Sequence, residues 1–414
     1  MIKKLKGTYD ILPSDIPVWR HIENTARECA ERYGFGEIST PMFEYTELFA
    51  RGMGETTDVV SKEMYTFPDR DERSLTLRPE GTAGVVRAII ESGLISSALP
   101  LKLFYIADFF RYERPQAGRS RQFRSFGIES FGSSEPSADA EVICLSDTFL
   151  RKLGLDNVEL HLNSIGCIDC RPNYRAELIK HFASHSDSMC ELCVSRMEKN
   201  PLRLLDCKNP KCGEIAAAAP SSIDYLCEPC ETHMTKLLSL IDSTDIKYII
   251  NPKIVRGLDY YTRTVFEFIS NDIGAQSTIV GGGRYDGLVS ELGGNPTPAV
   301  GFGSGLTRLI LALQSADKVP QYTPSCDLYI AAMGDTAAAE SFRIAENLRR
   351  QGYSCETDTM QRSLKAQMRH ADKLGARYTI VLGDNELESG SAKLKNMQFG
   401  DEVVVKLAEI ATHL

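Results

Sequence analysis

The sequence predicts an α+β protein of two or three domains, with a helical insertion in the first and a small α/β domain at the end. Three observations carry this. The chain has 414 residues, more than one hydrophobic core ordinarily serves. Between residues 103 and 131, two alternating, aromatic-rich segments flank a basic loop marked by Pro115 and Gly118, a pattern of strands rather than helices. After residue 325, strand-like and helix-like segments alternate.

Taken in order, Gly7 to Pro13 is an extended lead-in. Ser14 is placed to cap a helix running to about Tyr33, with Pro17 in its first turn and Gly34 as its stop. Val18, Ile22, Cys29 and Tyr33 lie on one apolar stripe. Phe35 to Pro41 is a short strand, suited to a dimer interface or to an ordinary core. Ser74 to Arg78 is a strand leading through Pro79-Glu80-Gly81-Thr82 into a helix from Ala83 to about Glu91. At that turn Glu80 and Thr82 are ligand candidates, or Thr82 simply caps the helix.

Leu103 to Glu113 and Gln122 to Phe131 are the two strands around the basic loop. Side chains two apart share a face. Arg111 therefore sides with Glu113, and Arg121, Phe123, Ser125, Gly127 and Glu129 side together. Paired, these faces offer guanidiniums, two carboxylates, an aromatic plate and a glycine floor. Such a surface fits an anionic ligand with a flat ring, because arginine clamps phosphate through parallel hydrogen bonds and a phenyl face stacks on a base. The plainer alternative is a solvated hairpin with salt-bridged charges.

Glu135 to Leu153 is helical and Asn157 to Leu162 a strand. From Cys167 to about Ser239 the composition is helical, and the strand pattern returns at Lys247 to Asn251. Residues 255–268 end as a strand, and 280–288 form a glycine-rich bend where a ligand could approach the backbone. Residues 299–308 lead into a helix whose Leu306, Leu309, Ile310 and Leu313 face inward while Arg308 lies off that stripe. Neither common phosphate loop, GxxxxGK[ST] or an early GxGxxG, occurs. Ser315 to Ser325 is a linker. Beyond it come Leu328 to Met333, Thr336 to Gln351, Ser354 to Thr357, Leu364 to Leu374, Tyr378 to Leu382 and Glu402 to Lys406. Arg362, Lys365, Arg369, Lys373 and Arg377 form a basic stripe, most simply a solvated face.

The composition is that of a soluble globular protein, 43% hydrophobic and 25% charged. A net charge of −9 neither indicates nor excludes a nucleic-acid partner. The basic start lacks a following apolar run, and no stretch approaches membrane-spanning length. A cytoplasmic enzyme is expected, where disulfides are disfavoured. Eight of the twelve cysteines then ask for another explanation. They fall in pairs, Cys167/Cys170, Cys190/Cys193, Cys207/Cys212 and Cys227/Cys230, each able to supply two thiolates to a tetrahedral zinc. Four pairs suit two structural sites, or else the thiols are free; which pairs would combine is open.

These residues carry a family. The hairpin from Arg111 to Glu129, the segment Gly301 to Arg308 and the helix-strand ending at Pro41 resemble the three motifs of class II aminoacyl-tRNA synthetases. Arg256-Gly-Leu-Asp-Tyr-Tyr261 and Gly282-Gly-Arg-Tyr285-Asp-Gly-Leu288 resemble the signatures of the bacterial histidyl-tRNA synthetases. The C-terminal part, notably Arg362-Ser-Leu-Lys and Gly383 to Gly390, is similar to that family's anticodon-binding domain.

The resemblance implies a mostly antiparallel catalytic sheet with helices over 1–166 and 240–314, a cysteine-rich insertion at 167–239, a linker at 315–325 and an α/β anticodon-binding domain at 326–414. It implies a histidine–tRNA ligase acting on histidine, ATP with magnesium, and tRNA(His), as a homodimer. It implies Arg111 and Arg256 as catalytic residues at the α-phosphate. Arg119 and Arg308 would hold the outer phosphates, with Phe123 on adenine and Glu113 beside it. The histidine would lie among Glu80, Gly81, Thr82, Glu129, Arg256, Tyr260, Tyr261 and Tyr285, with its ammonium on Glu129. From its place between the catalytic motifs, the insertion could clamp the tRNA acceptor arm without touching the chemistry. Two positions depart from the family: Arg124-Ser125 stands where a His-Gln pair is usual, and Thr307-Arg308 where Glu-Arg is usual. Two rivals are a histidine-sensing regulatory subunit of an ATP phosphoribosyltransferase, which usually lacks the anticodon-binding domain, and a zinc-dependent nucleic-acid-binding module.

Overall fold

Alternation along the strands builds a large sheet with two unlike faces. The computed structural model describes residues 1–54, 57–96, 98–207, 209–320 and 326–414, without the side chains of 198–199 and 274–276. It forms two compact units, Met1–Pro320 and Gln321–Leu414. In the first, eight strands lie in the order Gly36–Glu37, Leu101–Phe110, Gln122–Phe131, Ala299–Gly305, Thr278–Arg284, Thr262–Ile269, Glu159–Ser164 and Tyr248–Ile250. Pairing is antiparallel except at the two edges.

One face of this sheet is apolar. Phe104, Phe126, Ile128, Val280 and Phe302 pack against the helices Ile16–Arg32, Pro136–Lys152, Glu228–Asp242 and Leu306–Ser315. Phe126 is fully buried, with ring centroids 5.1 Å from Phe149 and 5.4 Å from Phe302. Burial of such a side chain contributes about 1.5–3 kcal/mol. The opposite face carries Tyr105, Phe109, Tyr261 and Tyr285, with the helix Thr82–Glu91 closing one side.

Several local expectations change. The first helix begins after Asp15, and Ser14 does not cap it: its hydroxyl donates to the Asp15 carboxylate at 3.3 Å. The strand expected over Phe35 to Pro41 contracts to Gly36–Glu37. Ser74–Leu77 joins a separate three-stranded sheet with Phe43–Tyr45 and Tyr65–Pro68, which sequence reading did not anticipate. The Leu101–Phe110 strand stops before Arg111, so Arg111 and Glu113 project from the loop rather than from a ladder.

The glycine-rich bend is instead a central strand, Thr278–Arg284, paired on both sides. Glycine weakens a strand through lost entropy, so a packing reason is needed. A Cβ on Gly281 would lie 2.5 Å from the Arg256 guanidinium, and one on Gly301 of the next strand would collide with the Glu129 carboxylate. These glycines leave room for charged side chains to lie flat on the sheet.

The cysteine-rich segment is helical, with Arg171–Ala183, Glu191–Lys199 and Pro210–Ala217 around a small core of Tyr174, Leu178, Phe182 and Leu204. The helix Glu228–Asp242 runs past residue 239. It brings Cys230 to the other cysteines, while Leu237 and Ile241 enter the main core.

In the second unit five strands lie in the order Cys355–Thr357, Cys326–Ala332, Ala376–Leu382, Ser391–Asn396 and Glu402–Lys406. The helices are Asp335–Arg350, Leu364–Lys373 and Asp384–Ser389. Ser391–Asn396 and Asp384–Ser389 were not anticipated. Of the expected linker, Ser315 ends the preceding helix and 321–325 lie outside the described residues. Lys365, Arg369 and Lys373 are exposed, as a solvated stripe requires.

Candidate active site

The glycine-floored face of the large sheet forms a cavity. It is lined by Glu80, Gly81, Thr82, Arg111, Glu113, Arg119, Phe123, Glu129, Arg256, Tyr260, Tyr261, Tyr285 and Arg308, which is every ligand-binding residue expected from sequence, gathered from separate segments.

At one end the side chains suit a polyanion. Arg111 Nε donates to the Pro79 carbonyl at 2.8 Å, and its guanidinium lies 5.5 Å from the Phe123 ring centroid. Glu113 pairs with Arg119 at 3.3 Å and Arg111 at 3.7 Å, keeping both guanidiniums beside the aromatic plate. Arg308 is anchored by Nε to the Gly118 carbonyl at 3.2 Å and by Nη1 to the Thr278 carbonyl at 2.8 Å. Burial, with Arg119 nearby, lowers its pKa to about 10, so it stays charged at neutral pH and gains from an anion. Arg256 pairs with Glu267, and its buried Nε has no hydrogen-bond partner among the described residues. An unpaired buried donor of this kind is costly until an acceptor arrives.

The other end is enclosed and aromatic. Tyr260 lies 4.7 Å from Tyr261 and 5.5 Å from Tyr285 between ring centroids. Glu129, 1% exposed, accepts hydrogen bonds from Tyr285 Oη, from Thr82 Oγ1 at 2.7 Å and from Tyr105 Oη at 3.4 Å. Burial nevertheless pushes its pKa up to about 8. At neutral pH this carboxyl is thus largely protonated, and a cation beside it would ionise it.

Thr82 does not cap its helix, because its hydroxyl is turned to Glu129. Glu80 caps instead, accepting from the Thr82 and Ala83 amides at 2.7 and 2.8 Å. An acidic side chain at a helix N-terminus is favoured there. Arg284, between the two signature glycines and Tyr285, faces away from the cavity. It is fully buried and pairs with Asp139 behind the sheet. Ser125 lines the cavity, but its hydroxyl donates to the Ser304 carbonyl at 3.0 Å. Arg124 binds Glu23 at 2.6 Å and Asp108 at 3.2 Å. Neither reproduces the family's glutamine. Sequence reading missed Tyr105 and Glu267. Both lie in strands that carry other polar residues, Lys102 and Asp108 in one and Thr262, Arg263 and Thr264 in the other, so polarity within the strand did not single them out.

The eight paired cysteines form two clusters, Cys167/Cys170/Cys227/Cys230 and Cys190/Cys193/Cys207/Cys212, each with all sulfurs within 4.8 Å. The first pair joins the last and the two middle pairs join each other, which answers what spacing left open.

No described helix is long and apolar enough to cross a membrane. Comparison with known proteins completes the picture. The family model described as Histidyl-tRNA synthetase matches residues 7–309, and that described as Anticodon binding domain matches 327–414. The chain is 51% identical over 411 residues to a histidine–tRNA ligase of Caldanaerobacter subterraneus subsp. tengcongensis, covering 99% of this chain and 98% of that one. It is 49% identical over 405 residues to a histidine–tRNA ligase of Desulforamulus reducens, covering 98% and 97%. The apo S. aureus histidyl-tRNA synthetase superposes with a TM-score of 0.85 at 38% identity, covering 100% of this chain and 99% of that one.

Proposed function

The chain belongs to the histidyl-tRNA synthetase family, and on that premise we propose how its residues divide the work. It activates histidine with ATP and transfers it to tRNA. In the first step a histidine carboxylate oxygen attacks the α-phosphorus and the bond to pyrophosphate breaks. In the second a terminal ribose hydroxyl of the tRNA attacks the adenylate's carbonyl carbon and AMP leaves.

The protein's task is to hold these groups in line and neutralise developing charge. Arg111 and Arg256 are assigned to opposite sides of the α-phosphate. The orphaned Nε of Arg256 supports this, as does Glu267, which fixes the rest of that guanidinium. Arg308 and Arg119 take the outer phosphates. Magnesium enters with ATP as part of the substrate, on the side of its outer phosphates, and Glu113, paired with Arg119 and Arg111, lies beside the adenine plate. Phe123 stacks on adenine. Glu129 takes the ammonium, with Thr82 and Tyr285 fixing its oxygens. Tyr260, Tyr261 and Tyr285 enclose the imidazole, and Glu80 orders the turn carrying Gly81 and Thr82. Buried hydrogen bonds to a ring's polar atoms give strong rejection of analogues that lack them. The gathering of residues from six separated segments into one cavity carries this reading. Its test is histidine-dependent exchange of pyrophosphate into ATP.

The regulatory-subunit rival is disfavoured by the matched anticodon-binding domain and the full-length ligase relatives. A cytoplasmic location follows from the substrate tRNA. A homodimer is supported by the small sheet, whose Phe43 and Tyr45 are 53% and 55% exposed, alongside Met42 and Phe67.

The cysteine clusters are proposed as two structural zinc sites. Zinc–sulfur bonds of about 2.3 Å in a tetrahedron put sulfurs about 3.8 Å apart. The structure has 3.7 Å for Cys167–Cys170 and Cys167–Cys227, 3.8 Å for Cys170–Cys230, and 3.9 Å for Cys190–Cys207. Backbone amides of Cys167 and Cys190 donate to Cys170 and Cys212 sulfurs at 3.2 and 3.3 Å, which favours thiolates. Four thiolates leave no open position, so zinc would supply folding energy rather than chemistry.

A further inference from the structure

The first cysteine cluster is joined to the loop that walls the histidine site. Gly166, just before Cys167, accepts from the Arg263 amide at 2.8 Å, and Ile165 donates to the Arg263 carbonyl at 2.8 Å. This reciprocal pair fastens the end of one sheet strand beside the start of Thr262–Ile269. Gly166 has φ +72°, and a Cβ there would lie 2.6 Å from the Cys170 sulfur, so the knuckle sits hard against the sheet.

Arg171 follows Cys170 and opens the helix Arg171–Ala183; its amide donates to the Cys167 carbonyl at 3.0 Å. Its guanidinium Nη2 crosses to the Tyr261 carbonyl at 2.5 Å and reaches the Gly166 carbonyl at 3.4 Å. One side chain thus bridges the cysteine knuckle and the residue ending the Arg256–Tyr261 signature. A second tie lies nearby, where Asn200 Nδ2 donates to Asp259 Oδ1 at 2.7 Å. Between these ties runs a cavity lined in part by Arg171, Asn200, Arg203, Arg256 and Tyr261. Arg256, Leu258 and Tyr261 also line the active cavity, so the loop is a shared wall. An insertion that merely clamps tRNA does not require such ties.

We propose that Arg171 is a positioning residue for histidine recognition, holding the Tyr260–Tyr261 wall in register with the cysteine knuckle. The proposal rests on the site assignment and the zinc reading above. A charge-assisted bond to a backbone carbonyl fixes the loop more firmly than a neutral one. Its loss displaces Tyr260 and Tyr261 but leaves Arg256, held by Glu267, and Arg111, Arg119, Phe123 and Arg308 on other segments. Histidine binding should suffer and ATP binding should not.

The test uses the full-length protein with Arg171→Ala, Arg171→Lys and Asn200→Ala, each checked for folding by circular dichroism and for zinc content. In pyrophosphate exchange, Arg171→Ala should raise the histidine KM on the order of 10–100-fold. Its ATP KM should stay within about twofold, a split that general destabilisation does not produce. Arg171→Lys should recover part of the loss, and Asn200→Ala should give a smaller loss of the same pattern. Removing zinc with a mercurial and chelator, followed by a metallochromic dye, should weaken histidine binding in calorimetry similarly. An unchanged histidine KM, or equal rises in both KM values, would overturn the proposal; if Arg171→Ala does not fold, Asn200→Ala and zinc removal decide it by the same criterion. A protein without zinc that still shows the histidine-specific loss refutes the metal reading and keeps the positioning role. A parent protein without histidine-dependent exchange refutes the function itself.

Discussion

Histidine binding should expel a proton, and Glu129 is its source. The carboxyl is buried and its pKa lies at about 8, against an ordinary 4.5. Ionising it among these protein groups alone therefore costs roughly 5 kcal/mol more than in water. The substrate ammonium pairs only with the ionised form. At pH 7.5 a group of that pKa is about 0.8 protonated, so binding should release about 0.8 proton, with the substrate imidazole adding about 0.1. At pH 8.5 the release should fall to about 0.2. Isothermal titration in buffers of different ionisation enthalpy reads this number directly. Glu129→Gln should lose the charge partner and weaken histidine binding on the order of 10²–10³-fold. Proton release near zero at pH 7.5, or no fall between pH 7.5 and 8.5, would refute the argument. So would a Glu129→Gln protein that binds histidine normally.

The same carboxyl should make the unliganded protein pH-sensitive. Its folded pKa is raised, so its contribution to stability is fully present below pH 4.5 and is lost as pH rises through about 8. Denaturant titration of the parent and Glu129→Gln at pH 5 and 8 should show a larger loss of stability toward pH 8 in the parent than in the variant, where other buried carboxyls such as Glu80 still titrate. Arg256→Ala should fold yet lose adenylate formation by on the order of 10²–10³, measured by single-turnover adenylate assay. Gly281→Ala should push the Arg256 guanidinium aside and give a similar but smaller loss, with ATP binding by Arg308 preserved. Metal analysis of protein purified under reducing conditions should find two zinc ions per chain, and Cys190→Ser should reduce that to about one. Sedimentation at micromolar concentration should give a dimer, and Phe43→Asp should shift it toward monomer.

The site was more legible in the sequence than the fold around it. Arginines, an aromatic and a glutamate at two-residue spacing mark a shared face, and Gln122–Phe131 came out as read. The family signatures added Arg256 and the tyrosines, which spacing alone does not connect. Long-range geometry was hidden. Gly281 to Gly283 looked like a bend because their partners, Arg256 and the Thr264 carbonyl, lie elsewhere in the chain. That Glu80 would also cap the helix was not legible, because a carboxylate two residues before a helix serves a substrate or a cap equally well. Arg284 stood inside a signature, yet its partner Asp139 lies 145 residues away on the far side of the sheet. The strands at 43–45 and 65–68 are too short for periodicity to register. Nor could spacing show that Cys167 meets Cys227, since that requires the intervening helices to fold back.

The most direct test of the central claim is pyrophosphate exchange into ATP with each amino acid offered separately to the full-length protein. Exchange is expected with histidine, and little with any other amino acid, if the enclosed tyrosine-walled end receives the imidazole as proposed. Exchange that is absent with histidine, or equal with several amino acids, would contradict it.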